Sequence, residues 1–239
     1  MRTFAAVAFI FALAASALTA GARQSSSSPQ QPSTAQQQPA FDQWADDFSS
    51  AALDETKWER FSFEGAGGGK LEVKDGELRI RSVNGSRSGV RSRQSFAADK
   101  FSVEAKIARV GQQLLLPGDK GSPLGFASLT ILFDGSGRNR VEWILTSEGT
   151  FEAWSVVDGR GERIDDRKLG TKLKNPVLAI VRRGDEFLFV LNGPDSPPEA
   201  AQVGLKKTIK NLPRTFHVML YGFGSSENDW DDVRVVTAK

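Results

Sequence analysis

Asn139-Arg140-Val141-Glu142-Trp143-Ile144-Leu145-Thr146, then Ser147-Glu148-Gly149, then Thr150-Phe151-Glu152-Ala153-Trp154-Ser155-Val156-Val157: this stretch decides the fold. Val141, Trp143 and Leu145 share one parity, while Arg140, Glu142 and Thr146 share the other with Ile144. Successive side chains of a strand point to opposite faces, so this two-residue rhythm reads as β-structure with the Trp143 face in a core. If Ser147–Gly149 forms a three-residue hairpin loop, Thr146 opposes Thr150 and Glu142 lies directly across from Trp154. That register gathers Arg140, Glu142, Glu152 and Trp154 on one surface.

Outward from this hairpin the same signals recur. Alternating or β-branched runs occupy residues 70–74, 77–82, 89–94, 101–109 and 126–133, then 177–182, 186–191, 215–223 and 232–237. Asp75-Gly76, Asp158-Gly159 and Gly184-Asp185 are tight-turn dipeptides that favour antiparallel neighbours. The Pro- and Gly-containing stretches 111–123 and 193–204 read as surface loops. No long helical period interrupts the pattern. The fold class is therefore all-β, an antiparallel sandwich or barrel. Within 215–223, His217, Met219 and Tyr221 oppose Phe216, Val218 and Leu220 in parity, which nominates His217 and Tyr221 for the same surface as Trp154.

Composition bounds the function. The chain has 239 residues, with Lys+Arg 31 against Asp+Glu 29, a balance that argues against an electrostatic nucleic-acid binder. Cys is 0 and His is 1, which excludes disulfides, thiol nucleophiles and His/Cys metal clusters. Met1-Arg2 followed by an apolar run to Leu18 and by Ala20-Gly21-Ala22 reads as a signal peptide over residues 1–22, cleaved before Arg23. The run is shorter than the roughly 20 residues that span a bilayer, so no membrane anchor is expected to remain after cleavage. Residues 23–40 are almost wholly Ser, Gln and Pro and read as a disordered linker. Residues 41–239 read as one domain. Export without cysteine points to a bacterial periplasm or exterior.

Three pieces, in order, resemble a known superfamily. Asp47-Phe48, Leu53-Asp54, Lys57-Trp58 and Val73-Lys74-Asp75-Gly76-Glu77-Leu78 resemble the opening of a concanavalin A-like lectin/glucanase domain, a laminin G-like jelly roll. Arg182-Arg183-Gly184-Asp185-Glu186-Phe187 through Asn192-Gly193 is similar to its middle hairpin, and Trp230-Asp231-Asp232-Val233-Arg234-Val235 to its closing strand. The resemblance implies two curved antiparallel sheets with a concave face that often holds carbohydrate. It places Trp58 and Trp230 in packing roles. It also implies a structural calcium near the last strand, with Asp231 or Asp232 as the nominated ligand, although an Asx-rich turn explains the same residues.

Glucanases of this superfamily carry their carboxylates as Glu-x-Asp-x-x-Glu or Glu-x-Asp-x-Glu on one strand, and neither spacing occurs here. Residues 162–166 are loop-like and lack a second Glu, while Glu142 and Glu152 stand singly. His217 has no nucleophile partner in view. No catalytic residue is assigned, and the chain reads as an exported, non-catalytic glycan-binding protein. Its expected ligand-binding residues are Arg140, Glu142, Glu152, Trp154, His217 and Tyr221, because an indole beside charged groups suits a sugar ring. Two alternatives stay open: a polysaccharide hydrolase or lyase built around Glu142 and Glu152, and a protein-interaction module with an envelope protein partner.

Overall fold

The computed structural model describes residues 41–63, 69–82, 86–111, 125–168, 175–192, 204–223 and 226–238. In chain order the strands begin with β1 (Phe41–Asp46), β2 (Trp58–Ser62), β3 (Lys70–Lys74), β4 (Glu77–Arg81), β5 (Ser88–Ser92) and β6 (Phe96–Ala97). Then come β7 (Lys100–Val110), β8 (Phe126–Leu132), β9 (Arg140–Thr146), β10 (Thr150–Val157) and β11 (Arg160–Lys168). They end with β12 (Val177–Arg183), β13 (Glu186–Asn192), β14 (Gly204–Thr208), β15 (Thr215–Phe223) and β16 (Glu227–Ala238). Among the described residues no helix is long and apolar enough to cross a membrane.

Two antiparallel eight-stranded sheets form a sandwich. The first runs β14-β13-β12-β7-β16-β4-β3 with β1 beside β16, and the second β11-β10-β9-β8-β15-β5-β2 with β6 beside β15. Tight turns impose the hairpins locally. Asp75 and Gly76 have φ of 57° and 78°, and Asp158 and Gly159 have 52° and 81°. Two consecutive left-handed residues match the right-handed twist of the flanking strands. Between β5 and β15 the backbones come so close that a Cβ on Gly89 would sit 1.9 Å from the Leu220 carbonyl oxygen.

The inner faces meet in one apolar core. Trp58, Trp143, Trp230, Phe151, Phe187 and Phe216 are among its fully buried side chains. Trp143 of β9 also ties the sheets together, donating from Nε1 to the Val190 carbonyl of β13 at 2.9 Å. Burying an aromatic of that size stabilises by on the order of 4–6 kcal/mol before entropy is counted.

Several expectations need correction. Residues 162–166 form no loop; they lie within β11, paired to β10 with a bulge at Ala153/Trp154. β11 is an edge strand with charge on both parities, a device that discourages further pairing and that also hides the strand from a periodicity reading. Residues 228–232 are not a turn before the last strand. They belong to β16, whose register shifts between Asp229 and Val233. Gly204 opens β14, while the rest of the expected loop 193–204 and residues 112–123 of the other lie outside the described residues. Residues 1–40, including the expected signal peptide and linker, also lie outside them.

Candidate ligand-binding face

The site is built by period-2 alternation on the face of the second sheet that points away from the core. Pairing of β9 with β10 sets Trp154 across from Glu142 and Glu152 across from Ile144, the register expected from a three-residue loop. Gly149 closes that loop at φ 79°, and its amide donates to the Thr146 carbonyl at 3.0 Å. Continuing across the sheet, Glu142 pairs with Thr130, Thr130 with Met219 and Met219 with Arg91. Arg140 pairs with Leu132 and Leu132 with His217, so Arg140, Glu142, Glu152, Trp154, His217 and Tyr221 do share this face.

Their exposure differs sharply. Trp154, Glu152, Arg140 and His217 are half-buried. The Trp154 indole is pinned, donating from Nε1 to Glu152 Oε2 at 2.9 Å. Glu142 is only 5% exposed and is ion-paired to Arg140. The Arg140 guanidinium also donates to the Gly137 carbonyl at 2.5 Å and lies 4.7 Å from the Phe63 ring centre. His217 Nδ1 is 2.8 Å from the Ser92 carbonyl oxygen. A carbonyl can only accept, so Nδ1 is the donor and Nε2 is the ring nitrogen left for a ligand.

Tyr221 is different: at 1% exposure it lies beneath Phe63 and Phe126 and offers no surface of its own. Burial, reinforced by the Glu142 charge, pushes its phenol well above the usual value. A hydrogen bond with Ser128 opposes that rise, and Ser128 in turn lies 3.0 Å from the Thr130 hydroxyl. Thus Glu142, Thr130, Ser128 and Tyr221 form a polar layer under the face, and the half-buried Arg140 joins that layer to the surface through its pair with Glu142.

Sequence reasoning missed the aromatic part of this face. Phe61, Phe63, Tyr221, Phe126 and Phe223 form a chain of rings with centroids 5.3, 5.5, 5.8 and 5.0 Å apart. Guanidiniums lie over its members, Arg91 at 4.6 Å from Phe61 and Arg87 at 5.7 Å from Phe223. Had β2 been recognised, the alternation of Phe61 and Phe63 against Trp58 would have found them.

The carboxylates are engaged elsewhere. Glu142 faces Arg140 and Glu152 faces the Trp154 indole, so the two are turned to different partners. A retaining glycosidase needs two carboxyls about 5–5.5 Å apart flanking one bond. At the far end, Asp231 is ion-paired with Lys106. Asp232 is lifted above the usual carboxyl range by burial and then by the Asp231 charge. Among the described residues no three acidic or imidazole groups converge as a metal site. Asp231 is committed to an ammonium, and a calcium shell of six to eight oxygens on Asp232 would have to be completed by backbone carbonyls.

No protein-family model matches the chain, and no curated protein does. Solved structures do share its architecture. The CBM2 module of the evolved Dit of Lactobacillus casei BL23 phage J-1 superposes with a TM-score of 0.61 at 11% identity, over 84% of this chain and 97% of that one. The catalytic domain of an endo-1,3-beta-glucanase from Thermotoga petrophila RKU-1 gives 0.56 at 12% identity, over 84% and 99%. A Bacillus licheniformis beta-glucanase gives 0.54 at 13%, over 82% and 98%. The fold is therefore the concanavalin A-like jelly roll.

Proposed function

We propose that the protein is an exported carbohydrate-binding jelly roll that holds glycan on the outer face of its second sheet and does no chemistry on it. The observation that carries this reading is the half-buried Trp154 indole, pinned by Glu152 and sharing its face with the half-buried Arg140, which the buried Glu142 holds from below. A pyranose presents an apolar C–H face and a rim of hydroxyls. An immobilised ring with planar donors and acceptors at its side matches both, at little ordering cost. His217 Nε2 adds a hydrogen-bonding ring nitrogen further along the face. Two of the solved proteins that share the fold are named as glucanases and one as a carbohydrate-binding module, which supports carbohydrate as the ligand class.

The engaged carboxylates favour binding over hydrolysis. Residues 1–22 support export to a periplasm or exterior, and the balanced charge supports a neutral ligand over nucleic acid. A glycan-array and insoluble-polysaccharide screen of the full chain tests the reading, repeated with Trp154→Ala. We expect a specific hit that weakens at least about tenfold in the variant, equivalent to about 1.4 kcal/mol. Turnover of the hit that is abolished by Glu142→Gln or Glu152→Gln would establish the hydrolase reading instead. Retention of one envelope protein with no glycan bound would establish the protein-interaction reading.

A further inference from the structure

The second candidate site lies away from the glycan face, at the open side of the sandwich. There β2 ends the second sheet and β3 ends the first, with no further strand paired on their outer sides among the described residues. A cleft of about 490 Å³ occupies the gap, with Leu53, Leu71 and Val73 as its apolar floor. That volume lies within the usual range for a small-molecule pocket.

Its walls are held before any ligand arrives. Trp58 is fully buried beneath the floor and donates to Asp46 Oδ2 at 2.7 Å. The Asp54 carbonyl accepts from the Lys57 and Trp58 amides at 3.0 and 2.9 Å. Its carboxylate accepts from the Thr56 hydroxyl at 2.6 Å. Arg93 closes the other side, donating from Nε to the Glu55 carbonyl at 2.6 Å and from its amide to the Lys57 carbonyl at 2.8 Å.

The charges at the rim are unequally matched. Glu59 is held by Arg91 at 2.6 Å and Arg93 at 3.8 Å, and Glu72 by Arg79 at 3.4 Å, while the exposed Glu55 carboxylate at the Ala51–Ala52 end of the lining has no ion-pair partner among the described residues. Of the two guanidiniums lining the cleft, Arg93 has those partners, while Arg60 has no ion-pair or hydrogen-bond partner among the described residues. Arg60 shares parity with Trp58 on β2, so it stands over the inner side of the sheet edge. An unmatched guanidinium offers a planar fork to a carboxylate. The neighbouring floor is aliphatic, and the one ring beneath it is fully buried, so the surface suits an alkyl body better than a stacked sugar.

We propose that this cleft binds a small amphipathic monocarboxylate, its carboxylate on Arg60 and its alkyl chain over Leu53, Leu71 and Val73. Calorimetric titration of the full chain with sodium octanoate tests this, with acetate and octanol as half-ligands. Octanoate is expected to bind saturably at one site, and each half-ligand at least about tenfold more weakly. Arg60→Gln, at an exposed position and checked for unchanged melting, is expected to weaken octanoate at least about tenfold, while Trp154→Ala leaves it unchanged. Equal affinity for octanol, unaltered binding in Arg60→Gln, or no saturable octanoate site would overturn the proposal. None of these outcomes depends on whether glycan binds at Trp154.

Discussion

Replacing Asp229 by Asn removes the centre of an ion network on the outer face of the first sheet. Asp229 is 2% exposed and accepts from Arg79 Nε at 2.9 Å, Arg79 Nη2 at 3.3 Å and Arg109 Nε at 2.7 Å. Glu227 lies beside it, with Arg79 Nε at 3.5 Å, Arg81 at 2.5 Å and Arg109 also paired to it. An Asn keeps one acceptor but turns an amide N–H₂ toward a guanidinium. Each charge-assisted bond lost costs about 1.5–3 kcal/mol. Arg79 and Arg109 are 25% and 47% exposed and both still reach Glu227, so water and that carboxylate recover part of the loss. The expected net cost is about 2 kcal/mol at pH 7, read by urea unfolding, or roughly 4–8 °C in Tm for a domain of this size.

The pH dependence follows from the same contacts. Burial raises the Asp229 carboxyl, but the hydrogen bonds from Arg79 and Arg109 outweigh it and hold the group below its ordinary value. A depressed carboxyl contributes stability above its unfolded value of about 3.9 and loses it as pH falls through the folded value. The gap between the two proteins should therefore be full at pH 7 and close below about pH 4. A difference under about 0.5 kcal/mol at pH 7, or one that persists unchanged at pH 2–3, would refute this reasoning.

Asp232→Asn should act in the opposite sense. Its carboxyl is raised by burial and by Asp231, so the charged form is a liability at neutral pH. The variant should gain a few tenths to about 1 kcal/mol at pH 7, with the gain vanishing in acid, as urea unfolding at both pH values would show. Trp143→Phe should cost about 2 kcal/mol, because the Val190 carbonyl loses its inter-sheet donor and a small void opens; denaturant midpoints check it. Gly89→Ala puts a methyl 1.9 Å from a backbone oxygen. It should cost about 3 kcal/mol or leave the protein insoluble, measured by soluble yield and melting.

Much of the fold was legible because alternation reports which face is buried. The hairpin from Arg140 to Val157 could be read to the residue: Trp143 is in the core, and Glu142 faces Trp154. Trp58 and Trp230 are packing residues, each fully buried. Alternation fails in strands that are very short or carry polar groups on both parities. β1, β2, β6, β11 and β14 went unrecognised, β11 because it carries charge on both parities and β6 because it is two residues long. The site was half legible for the same reason. Parity placed Tyr221 and Glu142 on the outer face but could not show that Phe63, Phe126 and Arg140 lie over or against them. That depends on β2, which reaches the face from nearly the other end of the sequence. That Arg60 has no partner among the described residues was invisible for a similar reason, since pairing is a property of neighbours in space.

The glycan face can be tested most directly by following the indole N–H resonances while the full chain is titrated with the polysaccharides retained in the screen. Trp58, Trp143 and Trp230 are fully buried in the core, whereas Trp154 is half-buried on the outer face with its N–H on Glu152. Binding at the assigned site requires the Trp154 resonance to shift saturably while those three stay still, and Trp154→Ala to remove the response. Saturable binding that leaves the Trp154 resonance unmoved, or no polysaccharide retained by the folded protein, would contradict it.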